Sequence, residues 1–363
     1  TLSLHDALPI SGLQPVRQSG PRYRPKDWRN TPTSAEPSLG TGSTRTDASA
    51  SADETRGWVS QPTSAPLDFP ERVPLLEADI LKIDMSKKIL VLGATGTVGK
   101  PLVEGLLAKG EAVKAASRAN RKMDGVESTP FDFGKPETIA AALEGVDRTY
   151  MLLPAGYLNV RDLLLPFVEA AASRKVKIVF QSAFGVDAND ANPMRQMEIL
   201  LEKSGTPHVI LRPNWFSDNF HQFWKAGLDQ GQIALPAGDS RTSFIDVRDI
   251  AASAIAALTS TAFDGKAFNL TGPEALSYAD AAAILSEVTG KPVRYAATSD
   301  KAFIDMLENN GVPAANAAHM ASIFHPVRQG WMSLVTDDVM KLTGKRPRTL
   351  REYAQDKVAA LTA

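Results

Sequence analysis

The sequence predicts an α/β fold built on a doubly wound parallel sheet, with a smaller, mainly helical lobe toward its C-terminal end. Three observations carry that prediction. An apolar run, Ile89 to Leu92, fits a strand buried on both faces; it breaks at Gly93, and Gly96 and Gly99 follow at a spacing of three. Beyond the glycines, residues 101–109 place apolar side chains at 102, 103, 106 and 107, the period of an amphipathic helix. From there to residue 212, short apolar runs alternate with helical patterns, which implies parallel strands joined by right-handed crossovers.

Residues 1–84 stand apart. They hold 10 of the 24 prolines, are rich in Ser, Thr, Arg and Asp, and have no hydrophobic periodicity. Such a segment cannot bury enough apolar area to offset the entropy of ordering, so disorder is expected. Residues 1–10 look like the translation of a sequencing-adapter oligonucleotide, the first residue is Thr, and Met85 lies three residues before the first strand. The expectation is that translation starts at Met85 and that residues 1–84 are non-native read-through. A disordered regulatory arm is the alternative, and an intact mass from the native source separates the two.

The elements then follow in order. Strands are expected at 88–92, 111–117, 125–131, 146–153, 176–180 and 208–212. Helices are expected at 136–143, with Pro136 in the first turn, and at 159–173 and 192–204, the last closed by Gly205. After Arg212 the alternation loosens. A short strand at 243–246 feeds a helix at 247–258, and 266–270 reads as a further strand. Helices at 277–289, 301–309, 314–324, 336–343 and 350–361 complete the chain. The division expected is a dinucleotide-binding domain over 85–240, then completion of the sheet and a substrate-capping lobe over 241–363.

Composition excludes several classes of function. There is no cysteine, hence no disulfide, thiol nucleophile or thiolate metal site. A net charge of −1 argues against nucleic acid or an anionic membrane as partner. No apolar run approaches the roughly 20 residues that span a bilayer, and no signal-peptide pattern leads the chain, so a cytoplasmic protein is expected. No His/Asp/Glu cluster has metal-ligand spacing, and no Ser-His-Asp arrangement is legible.

Strand, glycine turn and helix together make a nucleotide-binding motif. Missing side chains let the backbone turn tightly and approach a diphosphate, while the N–H groups and positive dipole end of the new helix hold its charge. Gly93, Thr95, Gly96, Thr97, Val98 and Gly99 are the candidates. Strand two ends at Ser117-Arg118, with Arg121 and Lys122 beyond and no acid near. An acid there would accept from the ribose 2′-OH of NAD, whereas an Arg accommodates the 2′-phosphate of NADP, so NADP(H) is preferred over NAD(H). Asp132, followed by Phe133, ends strand three within reach of the adenine. Leu152, Leu153 and Pro154 end strand four, and Gln181 and Ser182 end strand five, both beside the nicotinamide ribose. Tyr157, Arg161, Asn214, Trp215, Phe216, His221 and His325 are candidates to line a substrate pocket, against the plainer possibility that each packs the lobe.

At this point the sequence resembles a known family. Gly93-Ala-Thr-Gly-x-x-Gly99, Arg118, Ser182 with Gly185, and Glu198-x-x-Leu-x-x-Ser-Gly205 are its marks. So are Leu211-Arg-Pro-Asn-Trp-Phe-Ser-Asp-Asn-Phe220, Phe244-Ile-Asp-Val-Arg-Asp249 and Leu342-Thr-Gly-Lys-Arg-Pro-Arg-Thr-Leu350. Together, over residues 86–361, they resemble the NmrA-like, atypical short-chain dehydrogenase/reductases. That resemblance implies a Rossmann-type sheet and NAD(P) binding. It also implies one of the family's activities: NADPH-dependent quinone reductase, azoreductase-like or clavine-type dehydrogenase, or non-enzymatic redox sensor.

Typical short-chain dehydrogenases carry a Tyr and a Lys four residues apart on the helix after strand five, where the Lys lowers the Tyr pKa for proton relay. Here that helix reads Asn192-Pro-Met-Arg-Gln-Met-Glu198, with neither, and Met194 stands where many relatives carry a His. The one Tyr-x-x-x-Lys match, Tyr353 with Lys357, is expected to be a chance surface pairing. Two functions therefore remain. The first is hydride transfer to a quinone or similar electron-poor small molecule, which needs no such acid. The second is an NAD(P)-sensing regulator that acts through a protein partner.

Overall fold

The computed structural model describes residues 87–153 and 159–363. Its centre is a seven-stranded parallel sheet of β1 (Lys88–Leu92), β2 (Val113–Ser117), β3 (Glu127–Pro130), β4 (Val146–Leu152), β5 (Lys177–Gln181), β6 (His208–Pro213) and β9 (Lys266–Leu270). The spatial order is β3-β2-β1-β4-β5-β6-β9. The chain runs outward from β1 through β2 and β3, then returns to place β4 on the other side of β1. This is a Rossmann-like sheet, and its order reverses between β1 and β4.

The inner strands β1, β2, β5 and β6 are covered on both faces along most of their length, whereas the edge strands β3 and β9 keep exposed residues. In β1, Ile89 and Val91 face one core with α1 (Gly99–Ala108) and α6 (Val247–Thr259). Leu90 and Leu92 face the other, with α2 (Glu137–Ala142), α3 (Val160–Ser173) and α4 (Pro193–Lys203). One strand thus feeds two cores through the period of two.

One buried ion-pair cluster braces the second face. Glu198 of α4, fully buried, is gripped by Arg212 of β6 through Nε at 2.9 Å and Nη2 at 2.7 Å, and Arg195 adds a third contact at 2.9 Å. Burial opposes ionisation of this carboxyl, but the guanidinium pair overrides it and holds the group below the usual carboxylate range. Arg212 also donates to Asp187 Oδ2 at 2.6 Å. Helix starts follow capping chemistry: Asn192 caps α4 and Asp246 caps α6.

The C-terminal lobe has its own core, with Phe220, Leu228, Phe244, Tyr278, Leu285, Phe303, Phe324 and Tyr353 at its centre. It takes residues from both sides of position 240. Its elements are α5 (Lys225–Asp229), β7 (Gln232–Leu235), β8 (Arg241–Thr242), β10 (Leu276–Ser277), α7 (Tyr278–Thr289), β11 (Arg294–Ala297), α8 (Asp300–Asn309), α9 (Ala314–Ser322), α10 (His325–Arg328), α11 (Asp338–Thr343), α12 (Leu350–Asp356) and α13 (Val358–Thr362). Of these, α11 packs on the first face of the sheet.

The lobe is where sequence and structure part. The strand expected at 243–246 is a single parallel bridge between Ile245 and Phe216, and the neighbouring strand lies at 241–242, paired with β10. The stretch cannot extend because Ser243 and Asn214 are committed to the carbonyl of Met332. The parallel pair β7–β11, 62 residues apart in register, has no counterpart in the expected helical lobe. The helix expected over 350–361 is two, broken at Lys357.

Candidate dinucleotide site

The glycine loop lies at the carboxyl end of β1, beside the carboxyl end of β4, at the point where the strand order reverses. In open α/β sheets that crevice is where ligands bind. Gly93 adopts φ +68°, a conformation that costs other residues and not glycine. A Cβ on Gly99 would lie 2.0 Å from the Gly93 carbonyl oxygen, and one on Gly96 would lie 3.1 Å from it. The turn is therefore closed by backbone packed on backbone: the Gly96 N–H donates to the Gly93 carbonyl at 2.8 Å. Thr95 is exposed, Gly96 and Thr97 are half-buried, and Val98 is buried against the first core. The outward surface of this loop is open backbone at the start of α1, a cradle that fits a dinucleotide's diphosphate.

At the end of β2, Arg118, Arg121 and Lys122 are exposed, and none has a carboxylate partner among the described residues. The Ser117 hydroxyl accepts from the Arg121 N–H at 3.2 Å, folding this basic segment back on its strand. Asp132 is half-buried and its Oδ1 accepts from the Gly134 N–H at 3.0 Å, so one carboxylate oxygen is committed to its own turn. Phe133 packs edge-on against Phe131 and Phe167 in the second core.

Leu152 touches the loop directly: its Cδ2 is 3.3 Å from the place a Gly93 side chain would occupy. Leu153 is half-buried against the second core. Pro154 and Tyr157 lie outside the described residues. Gln181 accepts from the hydroxyl of Tyr150, a fully buried residue whose burial pushes its pKa up. The buried Ser182 hydroxyl has no well-formed hydrogen bond, yet it is near enough to Glu198 to favour its ionised form.

The pocket candidates separate into two groups. Asn214 is buried and its side chain is used up: Nδ2 donates to Ser243 Oγ at 2.8 Å and to the Met332 carbonyl at 2.9 Å, while Oδ1 accepts from the Trp215 N–H. By contrast Trp215 stacks on Trp224 and lies tilted against Phe324, with centroids 5.8 and 4.8 Å away, and Phe216 packs on the first core. His325 is exposed, edge-on to Trp331 at 6.0 Å. Arg161 is exposed on α3.

A cluster that the sequence did not suggest sits between the sheet and the lobe. Tyr353, expected on the surface, is fully buried, and its hydroxyl is hydrogen-bonded to His221 Nδ1. The reason is that α12 is amphipathic and turns Tyr353 into the lobe core. Asp218, 3% exposed, accepts from the Val247 N–H at 3.3 Å, and its Oδ1 is 4.0 Å from His221 Nε2. Burial, with the Asp246 charge, pushes its pKa up to about 6. His221 is held low, first by burial and then by the Lys357 charge. The next residue, Gln222, accepts at 3.1 Å from the hydroxyl of Thr97 in the glycine loop.

Among the described residues no group of three His, Cys, Asp or Glu forms a metal site, and no helix is long and apolar enough to cross a membrane. The NmrA-like family model matches residues 85–354. This chain belongs to the NmrA-like family. The NAD(P)H azoreductase of Xenophilus azovorans is 32% identical over 286 residues, 76% of this chain and 99% of that protein. The prestalk A differentiation protein A of Dictyostelium discoideum is 31% identical over 291 residues, 77% of this chain and 95% of that protein. Among solved structures, the triphenylmethane reductase of Citrobacter sp. in complex with NADP(H) superposes with a TM-score of 0.63 at 25% identity. It covers 74% of this chain and 99% of that one.

Proposed function

We propose that this NmrA-like protein is an NADPH-dependent oxidoreductase that reduces a quinone or similar electron-poor small molecule by direct hydride transfer. The observation that carries the reading is the open glycine cradle followed, at the end of the next strand, by three exposed cations and no acid. In the proposed complex the free N–H groups of the loop and the dipole of α1 hold the diphosphate. Arg118, with Lys122 near it, takes the 2′-phosphate, while Leu152, Leu153, Gln181 and Ser182 flank the nicotinamide ribose. Trp215, Phe216 and His325 offer an aromatic wall to a flat acceptor. When bound, the reduced dinucleotide supplies the hydride.

The residues present suit an acceptor whose reduction needs no positioned acid. A reduced quinone spreads its negative charge over an aromatic ring, and water protonates it. Juxtaposing donor and acceptor then supplies much of the rate. Residues 192–198, the start of the helix after β5, offer neither Tyr nor Lys, and the Lys203 that ends it has no Tyr four residues before it, in keeping with such chemistry. The relatives named an azoreductase and a triphenylmethane reductase support an electron-poor acceptor.

A second reading has one specific observation in its favour, the similarity to a differentiation protein. In it the chain binds NAD(P) and signals through a protein partner. Incubation with NADPH and a panel of quinones, followed through the reduced-nicotinamide absorbance, separates the two. Quinone-dependent consumption above the uncatalysed control is expected. Tight NADPH binding with no consumption across the panel would reject the oxidoreductase.

A further inference from the structure

The turn after β6 makes a contact that neither the sheet nor the glycine spacing requires. Across 125 residues of chain, the Thr97 hydroxyl donates to Gln222 Oε1. Thr97 stands between Gly96 and Gly99, where the loop becomes α1. Gln222 closes the 3₁₀ turn Ser217–His221, which is packed into the lobe through Phe220.

Gln222 is exposed, yet its surroundings fix its place. Its N–H donates to the Asn219 carbonyl at 3.4 Å, and its carbonyl accepts from the Lys225 N–H at 3.3 Å. On one side the His221 ring is tied to buried Tyr353; on the other, Trp224 packs on Phe220 with centroids 5.0 Å apart. A glutamine side chain ends in one acceptor and a two-donor NH₂ group. Thr97 occupies the acceptor, which sets the orientation of the amide. The NH₂ group has no protein partner among the described residues. Two N–H donors are thus left at the rim of a backbone loop that is itself suited to an anion.

We propose that Gln222 is a dinucleotide-binding residue contributed by the lobe, its amide oriented by Thr97 so that Nε2 donates to the diphosphate held at Gly93–Gly99. This inference rests on the dinucleotide reading above and extends it. The diphosphate gains a side-chain donor from outside the glycine loop, and the lobe closes one side of its site. Because NADPH and NADH share the diphosphate, Gln222 contributes to both and does not choose between them.

The test uses the full chain and calorimetric titration with three probes: NADPH, ADP-ribose and adenosine 2′-monophosphate, of which only the first two carry the diphosphate. Gln222→Ala is expected to lose about tenfold in affinity for NADPH and ADP-ribose, the scale of one hydrogen bond to a charged group. Its affinity for adenosine 2′-monophosphate should stay within twofold. Gln222→Glu keeps an acceptor for Thr97 but replaces the donors with a negative charge, so it should lose more than Ala. If Gln222→Glu binds NADPH and ADP-ribose like the unmodified protein, the Thr97 contact is the whole role of the residue and the proposal falls. It falls equally if Gln222→Ala binds more tightly, or if all three probes weaken together. A chain that binds neither NADPH nor ADP-ribose before substitution would reject the dinucleotide reading itself, a distinct outcome.

Discussion

Asp218 offers a quantitative test of how the seam between sheet and lobe is held. Its carboxyl is 3% exposed and accepts one backbone hydrogen bond, from the Val247 N–H, while Asp246 adds a like charge. The folded chain therefore binds this proton more tightly than the unfolded one, with a pKa of about 6 against an ordinary 3.8. For an acid raised in this way, the folded state is favoured at low pH. The penalty of ionising it grows as pH rises from the ordinary value and is complete above the folded one. The difference corresponds to about 3 kcal/mol at pH 8 and about 1 kcal/mol at pH 4.5. Asp218→Asn keeps an oxygen for the Val247 N–H and cannot ionise. Urea unfolding should therefore give a gain over the parent protein that approaches 3 kcal/mol at pH 8 and shrinks toward 1 at pH 4.5. A gain that is flat with pH, or a loss at pH 8, would refute the reasoning. Asp218 is thus a buried acid that lowers the stability of the folded chain at neutral pH, three residues before His221 and 4.0 Å from its ring.

Other substitutions test separate parts. Arg118→Glu should weaken NADPH binding at least tenfold more than NADH binding in parallel titrations; equal losses would remove the 2′-phosphate assignment. Gly99→Ala sets a methyl group 2.0 Å from a backbone oxygen, so the loop must open: NADPH affinity should fall by more than tenfold and the melting temperature should drop. Arg212→Leu removes two of the three guanidinium contacts to buried Glu198 and leaves it with Arg195 alone, which should cost about 3 kcal/mol in urea unfolding at pH 7. Since Glu198 is held low, its contribution to stability is present above the ordinary glutamate range and is lost as pH falls through the depressed value. The Arg212→Leu deficit should accordingly narrow in acid.

What the sequence made legible was whatever depends on local pattern. Ile89–Leu92 announces a doubly covered strand, and Gly93, Gly96 and Gly99 announce a turn in which backbone meets backbone. The strand at Lys266–Leu270 was legible to the residue. The lobe was less so, because short strands such as Gln232–Leu235 are defined by a partner 62 positions away rather than by their own residues. Tyr353 looked like half of a surface pair because spacing along a helix does not say which way the helix faces. Its hydrogen bond to His221 spans 132 residues. Gln222 carried no signal at all: an isolated polar residue between His221 and Phe223 acquires meaning only when the fold brings Thr97 to it. Asn214 illustrates the converse, a polar side chain in a promising place whose bonds all turn inward.

The seventh strand has a consequence for how the molecule can be divided. β9 pairs in parallel with β6 from Val209↔Lys266 to Pro213↔Leu270, yet the chain between them first travels through α5, β7 and β8 and then back along α6. A polypeptide ended near residue 240 would therefore leave β6 as a bare edge, with Val209, Ile210 and Leu211 presenting unpaired backbone that other chains can join. The lobe and the sheet are sewn through one another, and neither is a module that can be lost, exchanged or grafted without exposing the other. Change in the lobe would have to come by substitution within it, since replacing the lobe outright removes the guard from the sheet's last edge.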